Sequence, residues 1–381
     1  MNILNKDSSL QARNEGDYPK IAIVYLLYYH NESYINNLVS ALKKITYPKD
    51  KLELVIVANN HEKDGSFVHY INDAVMPLSG IEIPHTTLIA NQENLGFSAG
   101  NNQGANWAVE NGFDYVFFHN NDGFLALNAI EPLVETLESD KKIAIAQSLV
   151  LLYPETDLVN SIGNSFHYLG FGFAGGYRQR IKDIELPKVK EVDYASGAAF
   201  MISTELIKKY GAWDSDFYIY HEDLDWGLRM RSLGLKLVMV KDSVFYHQYQ
   251  FSRSIMKFYW MERNRHAVML MYFKWPTLLL LAPMAIVLEF GLWFFAFKNG
   301  YAGKRWEVYK YWLNFKNWSI WLNKRKQIQT TRKVTDREML RHSVAEIVFQ
   351  DSSTDNFLVK YVANPVMKAY YYVVVRGLIW W

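Results

Sequence analysis

The chain has 381 residues, of which 50% are hydrophobic and 16% aromatic, and its formal net charge is only +2. It contains no cysteine, which excludes disulfide bonds, thiolate metal sites and cysteine nucleophiles. The first twenty residues are polar and lack the apolar segment of a secretory signal, so we expect a cytoplasmic protein. The 12 Trp and 26 Tyr are many for a soluble enzyme and indicate contact with an apolar partner.

Short apolar runs alternate with helical patterns over the first 150 residues. Runs of strand length lie at 21–28, 52–58, 86–90, 114–119 and 143–152, and helices are predicted near 34–44, 66–75, 98–111 and 128–138. This alternation predicts an α/β fold with a mainly parallel sheet. Such sheets bind ligands at the carboxyl ends of their strands.

Two polar stretches follow predicted strands. The sequence "HNND" (119–122) comes directly after the fourth strand, where a parallel sheet carries its chemistry, although Asn and Asp also end strands through turn hydrogen bonds. The sequence "NQENLGFSAGNNQGAN" (91–106) follows the third strand, and its glycines bring the backbone close to a ligand. It is not a GxGxxG fingerprint, so a dinucleotide fold is only weakly supported.

Further along the chain, "SGAAFMIS" (196–203) predicts a buried strand. The sequence "FYIYHEDLDWGLRMRSLG" (217–234) predicts a helix with an acidic first turn that ends at Gly234. Acids in a first turn are favoured by the helix dipole, by about 0.3–1 kcal/mol each, and this effect alone accounts for Asp225. Arg229 and Arg231 are expected to be solvated or paired.

These stretches, in this order, resemble the family 2 inverting glycosyltransferases, which have the GT-A fold, and in particular their rhamnosyl- and galactofuranosyl-transferring members. The resemblance covers roughly residues 20–265 and continues in "FYWMERNRHAVML" (258–270), which holds an Arg-Asn pair. It implies a polar tail at 1–19, a catalytic domain with a Rossmann-like sheet at 20–265, and a C-terminal helical region at 266–381. The implied reaction is direct transfer of a sugar from a nucleotide-sugar donor to a hydroxyl.

The resemblance also implies roles for individual residues. The Asp-x-Asp of the family is Asn120-Asn121-Asp122 here, so Asp122 is the expected main ligand of Mn²⁺ or Mg²⁺, with His247 as a further ligand. Asp223 is the expected general base, and Glu222 helps to place the acceptor. The remaining candidates are Asn59, Asn94, Gly96, Asn101, Asn120, Asn121 and Arg253 for the donor, and His221 and Trp226 for the acceptor. Asn59 stands where many relatives have an Asp that binds the base, which leaves uridine and thymidine both open.

The chain changes character after residue 270. Residues 276–297 are long enough to span a membrane, but Glu289 and Pro283 make a re-entrant or interfacial hairpin equally plausible. Aromatic residues recur every third position from Trp306 to Trp321, among many basic residues that include Lys324, Arg325 and Lys326. This mixture suits the headgroup zone of an anionic membrane, and the alternative is a soluble aromatic-rich subdomain. The last 25 residues fit an interfacial helix.

The sequence therefore predicts a membrane-associated, non-processive glycosyltransferase at the cytoplasmic face of the cell membrane. We expect a UDP- or dTDP-linked donor, a polyprenyl-linked or other glycolipid acceptor of the cell envelope, a membrane surface as partner and no nucleic acid. Processive synthesis is disfavoured because no Gln stands three residues before Arg305. The alternatives are a catalytically silent scaffold of the same fold and, less strongly, a nucleotide-dependent oxidoreductase.

Overall fold

The computed structural model describes residues 18–28, 31–60, 67–249, 258–347 and 359–381. Arg253 and nearly all of the polar tail lie outside these residues. The strands of the described part are β1 (Ile21–Leu27), β2 (Leu52–Ala58), β3 (His85–Ala90), β4 (Tyr115–His119), β5 (Gly123–Leu125), β6 (Ile143–Leu152), β7 (Val159–Ser161), β8 (Asn164–Phe166), β9 (Gly172–Ala174), β10 (Val189–Glu191), β11 (Ala199–Ser203) and β12 (Lys236–His247).

Helices surround these strands and then continue beyond them. The α-helices of the described part are α1 (Glu32–Lys44), α2 (Val68–Ala74), α3 (Gly96–Glu110), α4 (Ile130–Ser139), α5 (Thr204–Tyr210), α6 (Glu222–Ser232), α7 (Phe258–Tyr272), α8 (Trp275–Lys298), α9 (Ala302–Leu313), α10 (Phe315–Thr331), α11 (Asp336–Met339) and α12 (Asn364–Tyr370). Two π-helical turns, Val359–Ala363 and Tyr371–Val375, flank α12.

One mixed sheet organises the first part of the chain, in the order β10-β12-β6-β11-β4-β1-β2-β3. Strands β4, β1, β2 and β3 are parallel neighbours, and β11 runs antiparallel between β4 and β6. Every residue of β1 and β2 is buried because helices cover both faces of the sheet. Helices α1, α2 and α4 pack on one face, and α3, α5 and α6 pack on the other. The predicted α/β class with a mainly parallel sheet is confirmed.

Helix α1 shows how the sequence sets these positions. Asn31 caps it by accepting a hydrogen bond from the Ser33 amide at 3.0 Å. Ile35, Leu38 and Leu42 recur at helical spacing and are buried against the sheet. An acid in the first turn and lysines in the last turn complement the helix dipole.

Helix α7 joins the sheet to the C-terminal helices. It runs unbroken through residue 265, where the sequence analysis places the division, and it contacts α6, α9 and α10. Among the described residues, α8 is the one helix that is long and apolar enough to cross a membrane, judged by length and composition. It continues through Pro283 as a single helix instead of a hairpin, and only 11% of its most apolar window is buried inside the protein.

Several basic side chains of the C-terminal helices are used within the protein. Arg305 is 1% exposed and pairs with Glu262 of α7 and Glu289 of α8. Arg325 is buried and donates to the main-chain oxygens of Leu270 and Phe273. Lys324 pairs with Asp214 and Asp216. The prediction that Lys324 and Arg325 meet lipid headgroups is therefore wrong, because their charged ends are bound inside the fold.

Candidate active site

The turn after β4 brings the two predicted metal ligands together. Strand β5 pairs antiparallel with the end of β12, and in this register Gly123 lies opposite His247. The neighbouring Asp122 thus places its Oδ1 atom 2.8 Å from Nε2 of His247. Asn120 donates to the same Oδ1 atom at 2.7 Å, and its Nδ2 atom lies 3.1 Å from His247 Nε2. Side chains from two distant parts of the sequence therefore share one small polar site.

Asn160 determines which nitrogen of His247 is available. Its Oδ1 atom lies 2.8 Å from Nδ1 of His247, and an amide oxygen can only accept a hydrogen bond. Nδ1 is therefore the nitrogen that donates to Asn160, and Nε2 is the nitrogen that faces Asp122. This is the orientation in which a metal-binding histidine is held by a second residue. Asn160 was not among the predicted site residues, and the sequence marks it only as a polar residue in a short strand.

The donor atoms of this site fit a hard divalent cation. Asp122 supplies a carboxylate, His247 an imidazole nitrogen, and Asn120 an amide that can turn its oxygen inward. Within the described residues, no cluster of three or more His, Asp and Glu side chains is placed to hold a metal. Mg²⁺ is commonly held by one or two carboxylates together with waters and substrate phosphates. If a cation binds here, these three side chains would supply part of its coordination shell and substrate phosphate oxygens would complete it.

Asp223 lies in the first turn of α6 and remains partly accessible. Burial raises the pKa of Asp223 to about 6, although hydrogen bonds from the amides of Leu224 and Gly197 oppose this effect. A carboxyl with a pKa near the working pH is well suited to general-base catalysis. Glu222 precedes it in the same turn and is buried.

The segment before β11 links Asp223 to the turn that carries the predicted metal ligand Asp122. Gly197 donates its amide to Asp223, and the next residue, Ala198, accepts a hydrogen bond from the Asn120 amide at 2.9 Å. Asn121 follows, and its main-chain oxygen accepts from the Tyr25 hydroxyl at 2.9 Å. The structure therefore brings Asp122, His247 and Asp223 to one edge of the sheet.

The residues after β2 and β3 that are predicted to bind the nucleotide-sugar donor form a connected hydrogen-bond network. Asn59 accepts from Asn91 at 2.9 Å and donates to Asn94 at 3.2 Å. Asn94 in turn accepts from the amide of Gly96 at 2.9 Å. Gly96 has a positive φ of 78°, and a Cβ atom there would lie 2.7 Å from the ring of Tyr218. Only glycine fits this close approach without displacing the ring.

Asn101 and Trp226 are less accessible than their predicted roles require. Asn101 is buried and donates to the main-chain oxygen of Phe97 at 3.0 Å, inside α3. Trp226 is 1% exposed and stacks on Trp213 with ring centroids 5.0 Å apart. We therefore correct the assignment of Trp226 from the acceptor site to the hydrophobic core.

The side chain of His221 also makes a structural hydrogen bond, whereas the sequence predicted that it binds the acceptor. It caps α6 with a left-handed backbone, and its Nε2 atom donates to the main-chain oxygen of Gly170 at 3.1 Å. Burial lowers the pKa of His221 to about 4, so the ring is neutral at physiological pH. His221 thus attaches the turn at residues 167–171 to the helix that carries Asp223.

With this geometry established, comparison with known proteins identifies the family. Residues 19–268 match the family model described as "Glycosyltransferase like family 2". The chain belongs to this family. The match spans the sheet, the turn at Asp122, the acidic start of α6 and most of α7.

Individual relatives of this family 2 chain are distant. It is similar to the "Probable glycosyltransferase YdaM" of Bacillus subtilis (strain 168), with 23% identity over 258 residues, which covers 67% of this chain and 56% of the relative. The chain therefore spans little more than half the length of that curated relative.

Two solved structures are similar to parts of this chain. One is GalNAc-T7 with UDP, GalNAc and Mn²⁺, with a TM-score of 0.50 and 16% identity over 62% of this chain and 44% of that one. Another is S. aureus TarS, with a TM-score of 0.45 and 15% identity over 66% of this chain and 40% of that one. The likeness to GalNAc-T7 concerns the fold, and with the family match it confirms the GT-A prediction.

Proposed function

We propose that the protein transfers a sugar from a nucleotide-sugar donor to a hydroxyl group, with inversion at the anomeric carbon. The observation that carries this proposal is the linkage of Asp223 to the turn of Asp122 and His247 through Gly197 and Ala198. A general base and a cation site at one strand edge are what this reaction needs. The base accepts a proton from the acceptor, and the cation site faces the leaving group.

Each residue has a defined task in this mechanism. Asp122 and His247 would hold Mn²⁺ or Mg²⁺, which neutralises the growing charge of the diphosphate leaving group when bound. Asp223 takes the proton of the attacking hydroxyl. Because one carboxylate acts as base and the hydroxyl attacks directly, a single displacement inverts the configuration. The GalNAc-T7 structure contains UDP, GalNAc and Mn²⁺, which supports a nucleoside-diphosphate sugar as donor.

We further propose that the acceptor is lipid-linked and that the protein docks on the cytoplasmic face of the cell membrane. Large apolar side chains are exposed on α8, where Phe290 is 73% exposed, and at the start of α10, where Phe315 is 88% exposed. The C-terminal segment exposes more of them and lies against α8, since Trp381 donates to Thr277 at 2.9 Å. Exposed apolar surface of this extent marks an interaction site.

The charge pairs of α8 favour docking on the membrane over crossing it. Glu289 lies in the second half of α8 and binds Arg265 of α7 at 2.8 Å and also Arg305 of α9. One side of α8 is therefore held against protein, and the opposite side is free to enter the interfacial layer. We propose non-processive extension of an envelope glycolipid as the role of this arrangement.

A panel of UDP- and dTDP-sugars tests the donor assignment. Each compound is added with and without Mn²⁺, and the melting temperature of the full chain is measured. A ligand at 100 times its Kd stabilises the folded state by about 2.7 kcal/mol. We expect at least one nucleotide sugar to raise the melting temperature in a Mn²⁺-dependent way and to be turned over. If no compound raises it under either condition, the donor assignment fails.

A further inference from the structure

The loop that precedes Asp223 has an unusual backbone. Tyr218, Tyr220 and His221 have positive φ angles of 63°, 66° and 67°. Residues with bulky side chains rarely adopt this region, and the loop sequence contains no glycine that would favour it. Such a conformation persists only where the surrounding structure imposes it. The loop at residues 216–221 must therefore be held by other parts of the protein.

Asn264 of α7 provides the principal contact. Its side chain is 0% exposed, and its Nδ2 atom lies 3.0 Å from the main-chain oxygens of both Phe217 and Ile219 and 2.6 Å from that of Tyr220. The two hydrogens of one amide group are thus shared among three carbonyl oxygens of the same loop. A single side chain therefore ties the loop together.

Arg263 fixes the direction of that amide. Its Nε atom donates to Oδ1 of Asn264 at 2.8 Å, so the NH₂ group of Asn264 must face the loop. The Arg263 guanidinium also donates to the main-chain oxygens of Asp216 and Phe217. The Cζ atom of the guanidinium lies 4.4 Å from the centroid of the Trp260 ring, so the two groups stack. The pair is buried, and these hydrogen bonds either hold the loop or join the two residues to each other.

The same loop also contacts the residues that are predicted to bind the nucleotide-sugar donor. Trp260 stacks on Tyr218 with ring centroids 4.7 Å apart. The main-chain oxygen of Tyr218 accepts from the Phe97 amide at 3.2 Å, and its hydroxyl accepts from Asn94 at 3.3 Å. The loop therefore joins the start of α3, at Gly96 and Phe97, to α6, which carries Asp223 in its first turn.

We propose that Arg263 and Asn264 are positioning residues that hold this loop so that Asp223 faces the acceptor while the donor turn is in place. This inference rests on the proposed transferase function, with Asp223 as base. Neither residue touches a substrate. The pair acts through the loop, so its loss affects turnover much more than the affinity for the donor.

The variant Asn264→Asp tests this role, because it keeps the size of the side chain and removes the two N–H groups that donate to the loop. Gln329→Glu is a matched control. The amide of Gln329 donates to the main-chain oxygens of Met271 at 3.1 Å and Tyr272 at 3.0 Å, at the far end of α7. Both changes place a carboxylate against carbonyl oxygens, but only the first faces the loop.

We expect Asn264→Asp to lower kcat about 100-fold, because a displacement of about 1 Å at a reacting group has an effect of this size. The KM for the donor should stay within about threefold, and Gln329→Glu should retain kcat within about threefold. Equal losses of kcat in both variants, or no loss in Asn264→Asp, would overturn the positioning role. If Asn264→Asp does not fold, Arg263→Lys replaces it, with an expected loss of about tenfold because lysine lacks the planar fork.

Hydrogen exchange separates this inference from the proposed function. In Asn264→Asp, amides of residues 217–223 should exchange about tenfold faster than in Gln329→Glu, because the loop opens locally. If the wild-type chain turns over no nucleotide sugar, the proposed function fails, and the exchange data still decide the role of the pair. Unchanged exchange in this segment would overturn the role even if transfer activity is found.

Discussion

The charged residues of the sheet edge and those of the C-terminal helices are arranged in opposite ways. Asp122 and Asp223 keep part of their surface accessible at the ends of strands and at the start of a helix. Arg305 and Arg325 are buried and use their donors on carboxylates or main-chain oxygens of the same chain. The comparison teaches that the accessibility of a charge, and not the number of charges in a segment, separates a candidate ligand site from charges that stabilise the fold.

The sheet-edge half of this comparison is most directly tested by Asp223→Asn. The variant removes the base and leaves Asp122 and His247 intact, so we expect transfer to fall about 1,000-fold while nucleotide binding persists. Initial rates and calorimetric titration of UDP in the presence of Mn²⁺ measure the two effects. A transfer rate near that of the wild type would mean that Asp223 is not the base.

For the C-terminal helices, the comparison predicts that substitution of a buried charged residue lowers the stability of the protein and not its activity. Arg305→Met removes one of the two buried cations that Glu262 and Glu289 share and leaves only Arg265 between them, so we expect the free energy of unfolding to fall by about 3 kcal/mol. Denaturant unfolding measures this change. The matched control is Lys304→Met, which breaks only the exposed pair with Glu307 and should cost less than about 1 kcal/mol. Similar losses in the two variants would contradict the difference between the regions.

A third test compares the two metal ligands. Asp122→Ala removes the carboxylate of the proposed cation site, and we expect it to weaken Mn²⁺-dependent binding of UDP about 100-fold. His247→Ala removes one neutral ligand and should weaken it about tenfold. Without Mn²⁺ both variants should bind UDP as the wild type does. Calorimetry that shows an unchanged Mn²⁺ dependence in Asp122→Ala would remove this residue from the site.

The smallest expected effect concerns a lysine that remains exposed. Lys316 lies next to the exposed Phe315, so Lys316→Gln should weaken binding to anionic vesicles by about 1 kcal/mol at low salt. Salt should reduce this difference, because charges are screened beyond a Debye length. Vesicle flotation measures it, with Lys141→Gln on the sheet domain as control. Equal behaviour of the two variants would mean that the start of α10 does not meet the membrane.

Much of the sheet could be predicted from the sequence. Buried parallel strands require continuous apolar runs, and the predicted bounds of β1, β2, β3, β4 and β6 differ from the observed ones by no more than one residue. The position of Asp122 at the sheet edge was also predictable, because polar residues that follow parallel strands meet at one edge. The resemblance to the family supplied the expected roles of Asp122 and Asp223.

Other features depend on contacts between distant segments. Trp226 follows the acids of α6 in the sequence, but the helix turns its ring into the core against Trp213. Lys324 and Arg325 resemble membrane-binding residues in composition, and only the fold shows their partners. Asn160 carries no local pattern, and the Arg-Asn pair that contains Asn264 gives no sign of the loop it holds, because the groups that both residues bind lie elsewhere in the chain. Sequence periodicity reports which face of an element is buried, but not which polar groups meet.

The pairing of β5 with β12 makes the site depend on contacts between residues far apart in the sequence. Asp122 and His247 are separated by 125 positions, and they meet only when the last strand of the sheet has joined the others. Closing contacts of such large sequence separation is slow compared with forming local helices. A chain that has folded only its first strands therefore has no pair of ligands for a cation. Cation binding would stabilise the finished sheet alone, and the metal would act as a ligand that favours complete chains over partly folded ones.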